Sequence, residues 1–201
     1  MPPVKQPYPC RGNVASSKLL LVEGATPCHF FTAATRHLGI ADALQILDYG
    51  GITELVNYLT TLAANEAFRS KVESIGIVRD AEGDALAAAT ALENAIQRAN
   101  IPAPVRRSKF ILPDNVSAGN IESLCLRSVA TSPVMDCVNN FINCAAEHGI
   151  VWADGYERDK ALVQVFASTR DRPYAGLAAY KGAWPWDSPV FADLFAFLQA
   201  L

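Results

Sequence analysis

Apolar residues fall along this chain in short runs, and each run closes on a turn with a carboxylate. Leu19 to Val22 is continuous and apolar after Lys18, and it ends at Glu23-Gly24. A run apolar at consecutive positions reads as a strand covered on both faces, as in a parallel sheet. Pro27 then opens a helical pattern to about Leu38, and Gly39 closes it; proline in the first turn and glycine past the end punctuate helices in this way. Ala43 to Leu47 is a second run, ending at Asp48-Tyr49-Gly50-Gly51, and Leu55, Tyr58, Leu59 and Leu62 follow at helical spacing. Ser74 to Val78 is a third run, ending at Arg79-Asp80. An alanine-rich helix is expected from about Asp84 to Ala99, with Asp84 as its cap. A fourth run, Phe110 to Leu112, ends at Pro113-Asp114.

Strand and helix thus alternate through residue 115. The pattern predicts right-handed βαβ units: an α/β fold with a four-stranded, mainly parallel, Rossmann-like sheet and flanking helices. The remainder changes character. Helices are expected over about 121–129, 134–148 and 159–167. Residues 174–186 read as irregular, and a final amphipathic helix is expected to start from a Ser188-Pro189 cap. Three segments result: a flexible tail (1–17), an α/β core (18–115) and a mainly helical C-terminal region packed on that core (116–201).

Composition narrows the classes. The chain has 201 residues, 51% of them hydrophobic, enough for a substantial core. Net charge is -3, which excludes the strongly basic footprint of a tight general nucleic-acid binder. No run approaches the ~20 apolar residues of a membrane span. The first 17 residues lack the apolar stretch of a signal peptide. Five cysteines without a C-x-x-C pair indicate neither a disulfide framework nor a zinc ribbon, and a reduced cytoplasm is the expected setting. His29, His37 and His148 have no H-x-x-x-H spacing. P-loop and G-x-G-x-x-G patterns are missing too.

In a parallel sheet all strands end on one edge, where ligands bind near the topological switch point. This edge receives Glu23, Asp48, Asp80 with Glu82 and Asp84, and Asp114. Grouped carboxylates repel unless a cation neutralises them, and Mg²⁺ takes oxygen ligands while keeping several waters. Asp48, Asp84 and Asp114 read first as turn or cap residues. Glu23 and Asp80 stay open between turn and function. Arg106, Arg107 and Lys109 form a basic cluster expected near the same edge, either to meet phosphates or as a solvated loop. Trp184 and Trp186 could stack on bases, but reading them as packing anchors carries more weight. Cys28 beside His29 is a weak candidate for thiol chemistry, because adjacent helical residues diverge.

The residues also carry a resemblance. Leu20-Leu21-Val22-Glu23-Gly24 resembles the first motif of TOPRIM domains, and Gly76 to Glu82 resembles the second, an apolar strand ending in Asp-x-Asp. Cys28-His29-Phe30, Gly50-Gly51, Gly119-Asn120-Ile121-Glu122 and Gly182 to Pro189 match a group of small stand-alone TOPRIM-related proteins of unknown function, distantly similar to OLD-type nucleases. The likeness spans about residues 18–200. It implies a Mg²⁺- or Mn²⁺-dependent phosphodiesterase, nuclease or phosphoryl-transfer site. Glu23 would be a general acid/base or metal ligand, Asp80 and Glu82 the metal-binding pair, and Glu122 the residue completing a second metal position. A nucleic acid or another phosphate-bearing ligand would be the partner. Two departures stand out: Thr26-Pro27 replaces a pair that is often acidic, and Glu82 replaces the second aspartate. These favour the alternative, a degenerate module that uses the edge to hold a protein or nucleic-acid partner.

Overall fold

A computed structural model describes residues 10–170 and 172–201. Four strands, β1 (Lys18–Val22), β2 (Gln45–Asp48), β3 (Ser74–Asp80) and β4 (Arg106–Leu112), form one all-parallel sheet in the order β2-β1-β3-β4. Between them run α1 (Ala25–His37), α2 (Leu55–Ala64), α3 (Glu66–Lys71) and α4 (Ala85–Arg98). The chain then continues through α5 (Ile121–Ser128), α6 (Val134–Glu147), α7 (Gly155–Ser168), α8 (Ala175–Ala179) and α9 (Ala192–Gln199).

The continuous apolar runs resolve into two alternating sets, because successive strand side chains point to opposite faces. Leu20, Val22, Ile46, Val78, Phe110 and Leu112 join one core with α1 and the helices after β4. Leu19, Leu21, Leu47, Ile75, Ile77 and Ile111 join a second core with α2, α3 and α4. A sheet covered on both faces is what forced the runs to be apolar at every position. The C-terminal helices share a core with the sheet and, together with α1, cover one face.

The caps were legible only in part. Asp84 accepts from Ala87 N at 2.9 Å, and Asn120 with Ser123 closes a capping box at the start of α5. Ser188 is a correction: its hydroxyl caps nothing, and Pro189 opens a 3-10 turn over Pro189–Phe191 before α9 begins. Trp184 is buried, donates Nε1–H to Ala175 O at 2.9 Å and stacks on Phe166; Trp186 packs on Phe30 and Phe191. Both are packing anchors.

Glycine at position 176 is dictated by approach. A Cβ there would clash with Thr26 O and lie 2.9 Å from His29 Cβ, where α8 crosses the first turn of α1. Gly176→Ala is therefore expected to cost about 1–3 kcal/mol, read as a lowered urea midpoint. An unchanged midpoint would mean that α8 shifts freely.

The expected tail needs correcting over its described part. Cys10 is buried and disulfide-bonded to Cys28 in α1, with a Cα–Cα distance of 6.1 Å. Cys10 O accepts from Asp48 N at 3.1 Å. The Gln45 side chain holds Asn13 O, Ala15 N and Ser16 N. An odd cysteine count does not prevent one pair from forming once the fold brings two together. The bond also removes Cys28 as a thiol nucleophile. Residues 1–9 of the expected tail lie outside the described residues.

Candidate functional site at the carboxyl edge of the sheet

Strand order reverses between β1 and β3, so their carboxyl ends form the switch point of this sheet. Glu23 follows β1 and Asp80 ends β3. Both line one small crevice, with Pro27, Arg79 and Leu112. The register pairs Leu21 with Ile77, so Asp80 lies one residue beyond the level of Glu23. The pleat therefore sends the two carboxylates toward different faces.

Glu23 leans toward the α2 side. Its Oε2 accepts from Tyr49 OH at 3.2 Å and its Oε1 from Ile52 N at 3.3 Å. The Tyr49 hydroxyl also lies 3.2 Å from Val78 O. Burial and the negative Glu23 beside it push the Tyr49 phenol up, so it remains a protonated donor.

Asp80 leans toward α5. Its Oδ1 accepts from Ile121 N at 3.2 Å. Burial, then Glu122, then Glu23 raise its carboxyl to about 7, against the Ile121 N–H and Lys160. Glu122, in the first turn of α5, is raised chiefly by burial and also by Asp159, while Lys160 opposes. Asp80 thus feels Glu122 and Glu23 as like charges.

Glu82 is exposed and left-handed, with φ 51°. Its backbone forms a two-bond bridge with Gly119, at 2.8 Å in each direction. Its side chain lines a polar cleft of about 350 Å³ with Asp80, Asn120, Tyr156 and Lys160.

Other expected residues do different work. Asp48 Oδ1 accepts from Gly24 N and Gly50 N at 2.7 and 2.8 Å, fixing the turns that present Glu23. Asp114 is a turn residue held by Val116 N, Ser117 and Arg127. Burial would raise its carboxyl, but those bonds outweigh burial and hold it well below the carboxylate range. The basic cluster is a further correction. β4 begins at Arg106, which pairs with Ser74 at the opposite end of the sheet, so these cations lie away from the carboxylates. Lys109 instead pairs with Glu93 at 2.8 Å, and Arg106 donates to Leu201 O at 3.1 Å.

The sequence reading missed Asp159 and Lys160. It started α7 too late. Asp154 caps the helix, accepting from Glu157 N at 2.8 Å, while Glu157 Oε2 accepts from Ala153 N at 2.8 Å. That reciprocal pattern was readable in Asp154-Gly155-Tyr156-Glu157. Asp159 accepts from Ser123 Oγ at 2.6 Å, a contact made only because α7 packs on α5.

Among the described residues, no three His, Cys, Asp or Glu side chains are gathered closely enough to cage a metal. The donor set still suits Mg²⁺ in its open mode of binding. That cation usually takes one or two carboxylates and fills its shell with water and ligand phosphate. Asp80, whose charge is disfavoured by its neighbours, is the carboxylate that a cation would relieve most.

Fold and edge together define a class: a parallel α/β protein, sheet covered on both faces, with carboxylates at the switch point. The chain belongs to the family described as Protein of unknown function (DUF3226), whose model matches residues 17–201. No curated protein and no solved structure matches it.

Proposed function

We propose that the protein is a TOPRIM-like, Mg²⁺- or Mn²⁺-dependent phosphodiesterase or phosphoryl-transfer protein acting on a nucleic acid or another phosphate-bearing ligand. The observation that carries this reading is the pairing of Glu23 and Asp80 across the switch point, with Asp80 raised to about 7. Asp80 and Glu23 would hold the cation, with Glu82 and Glu122 lining the approach. Bound there, Mg²⁺ would neutralise phosphate charge and acidify an attacking water. A cation at Asp80 would lower its carboxyl and hold it ionised, as a ligand and not as the base. Tyr49 and the Ile52 N–H fix the Glu23 carboxylate, and the Ile121 N–H fixes that of Asp80. A cytoplasmic setting requires that burial at both ends shield the Cys10–Cys28 bond from cellular thiols.

A second reading is favoured by the separation of the carboxylates to different faces. In it the same edge holds a protein or nucleic-acid partner without turnover. Calorimetry with Mg²⁺ and Mn²⁺ on the parent chain and on Asp80→Ala separates the two. Saturable binding that is lost in the variant is expected. No binding at millimolar metal would leave the partner-binding reading.

A further inference from the structure

We propose that the carboxyl edge takes a mononucleotide-sized phosphate ester and not a polymeric nucleic acid. The inference rests on the phosphoryl-transfer reading above and names the substrate class of that same site. The polar cleft beside Asp80 measures about 350 Å³. That lies at the lower end of small-molecule pockets, roughly 300–1,000 Å³. Its walls are pinned. The two-bond bridge between Glu82 and Gly119 ties the loop after β3 to the approach to α5. On the α7 side, the capping bonds of Asp154 and Glu157 lock the first turn of the helix. Tyr156 reaches from that turn to the loop after β3, where a Cβ on Gly83 would lie 3.5 Å from its hydroxyl. A space bounded in this way has room for one nucleotide and not for a duplex.

Charge sets the same limit. Asp80, Glu82, Asp154 and Glu157 line the cleft against a single cation, Lys160. Lys160 acts on both Asp80 and Glu122, opposing the rise of each carboxyl, so it stands where it can meet the phosphate of a ligand bound at Asp80. The phosphate of a mononucleotide is neutralised by one Mg²⁺ and meets these walls without net repulsion. A polymer brings a further negative charge about every 3.4 Å of strand. Those charges would run against Glu82, Asp154 and Glu157. The cations that could track a polymer, Arg106, Arg107 and Lys109, start from the opposite end of the sheet. The phosphate end of the ligand thus falls to Asp80 and Lys160, and its base to the ring of Tyr156, the aromatic group in the lining.

Calorimetry on the full chain at saturating Mg²⁺ tests this, with adenosine monophosphate, ribose 5-phosphate, a short single-stranded DNA and the matching duplex as probes. Adenosine monophosphate is expected to bind saturably at one equivalent and to lose that binding when Mg²⁺ is chelated. Ribose 5-phosphate should bind about five-fold or more weakly, and both DNA probes at least about ten-fold more weakly. Tyr156→Ala should cut adenosine monophosphate affinity about ten-fold, level with ribose 5-phosphate, and Tyr156→Phe should keep it. Tighter binding of either DNA than of the mononucleotide overturns the inference, as does a chain that binds Mg²⁺ and no mononucleotide. Either result leaves the metal reading standing, because loss of Mg²⁺ binding in Asp80→Ala is measured separately.

Discussion

The Asp80→Asn variant is expected to be more stable than the parent chain at pH 8, by on the order of 2–4 kcal/mol. The carboxyl of Asp80 moves from an ordinary 3.8 to about 7 on folding, through burial and then the charges of Glu122 and Glu23. A raised acid binds its proton more tightly in the folded state. Its contribution to stability is thus fully present below about pH 4 and is lost as pH rises through about 7. Asparagine keeps an oxygen for the Ile121 N–H and carries no charge. Urea unfolding at pH 4.5 and pH 8 should show a parent chain that weakens between them and a variant that weakens much less. Glu122, also raised, will leave some slope in both. The same variant should lose metal binding, so stability and ligand affinity move in opposite directions, as at sites where function is built at the expense of the fold. A variant less stable than the parent at pH 8 would show that the Asp80 charge costs the fold nothing.

Trp184→Ala is expected to cost about 3–5 kcal/mol, the range for truncating a buried large aromatic. Its ring is 1% exposed and stacks on Phe166 of α7 with centroids 5.7 Å apart, while its Nε1–H satisfies Ala175 O at the start of α8. One side chain thus joins two helices of the covering layer to the irregular segment after them. Trp184→Phe separates the contributions. It keeps most of the packing and removes the indole bond to Ala175 O, which keeps its place in the α8 ladder, for a cost of about 0.5–1.5 kcal/mol. Denaturant midpoints measure both. A loss below about 1 kcal/mol for the alanine variant would place the anchor elsewhere.

The central strands were readable because burial on both faces leaves no room for polar residues. β1 falls on the predicted run, and β3 extends it by Arg79 and Asp80. The edge strand was not readable to its start. The first half of β4, Arg106 to Lys109, is exposed to half-buried, so its sequence looks like a loop. α3 has six residues and buries only Phe68, too little to leave a period. At the site, Glu23 and Asp80 could be picked out because each follows an apolar run. Asp48 and Asp114 were read correctly as turn residues for the same local reason. The role of Lys160 depends on how α7 packs against α5, which no local pattern encodes.

The segment from Cys10 to Ser16 has one more consequence. Asp48 N points away from β1 and toward Cys10 O, so this segment lies along the outer edge of β2, where another strand could otherwise add. At the far margin, β4 presents Arg106, Arg107 and Lys109, and charge discourages sheet-to-sheet addition there. One margin is closed by covalent tethering and the other by electrostatic repulsion. The Cys10–Cys28 bond thus anchors, at its start, the segment that occupies the free margin of β2.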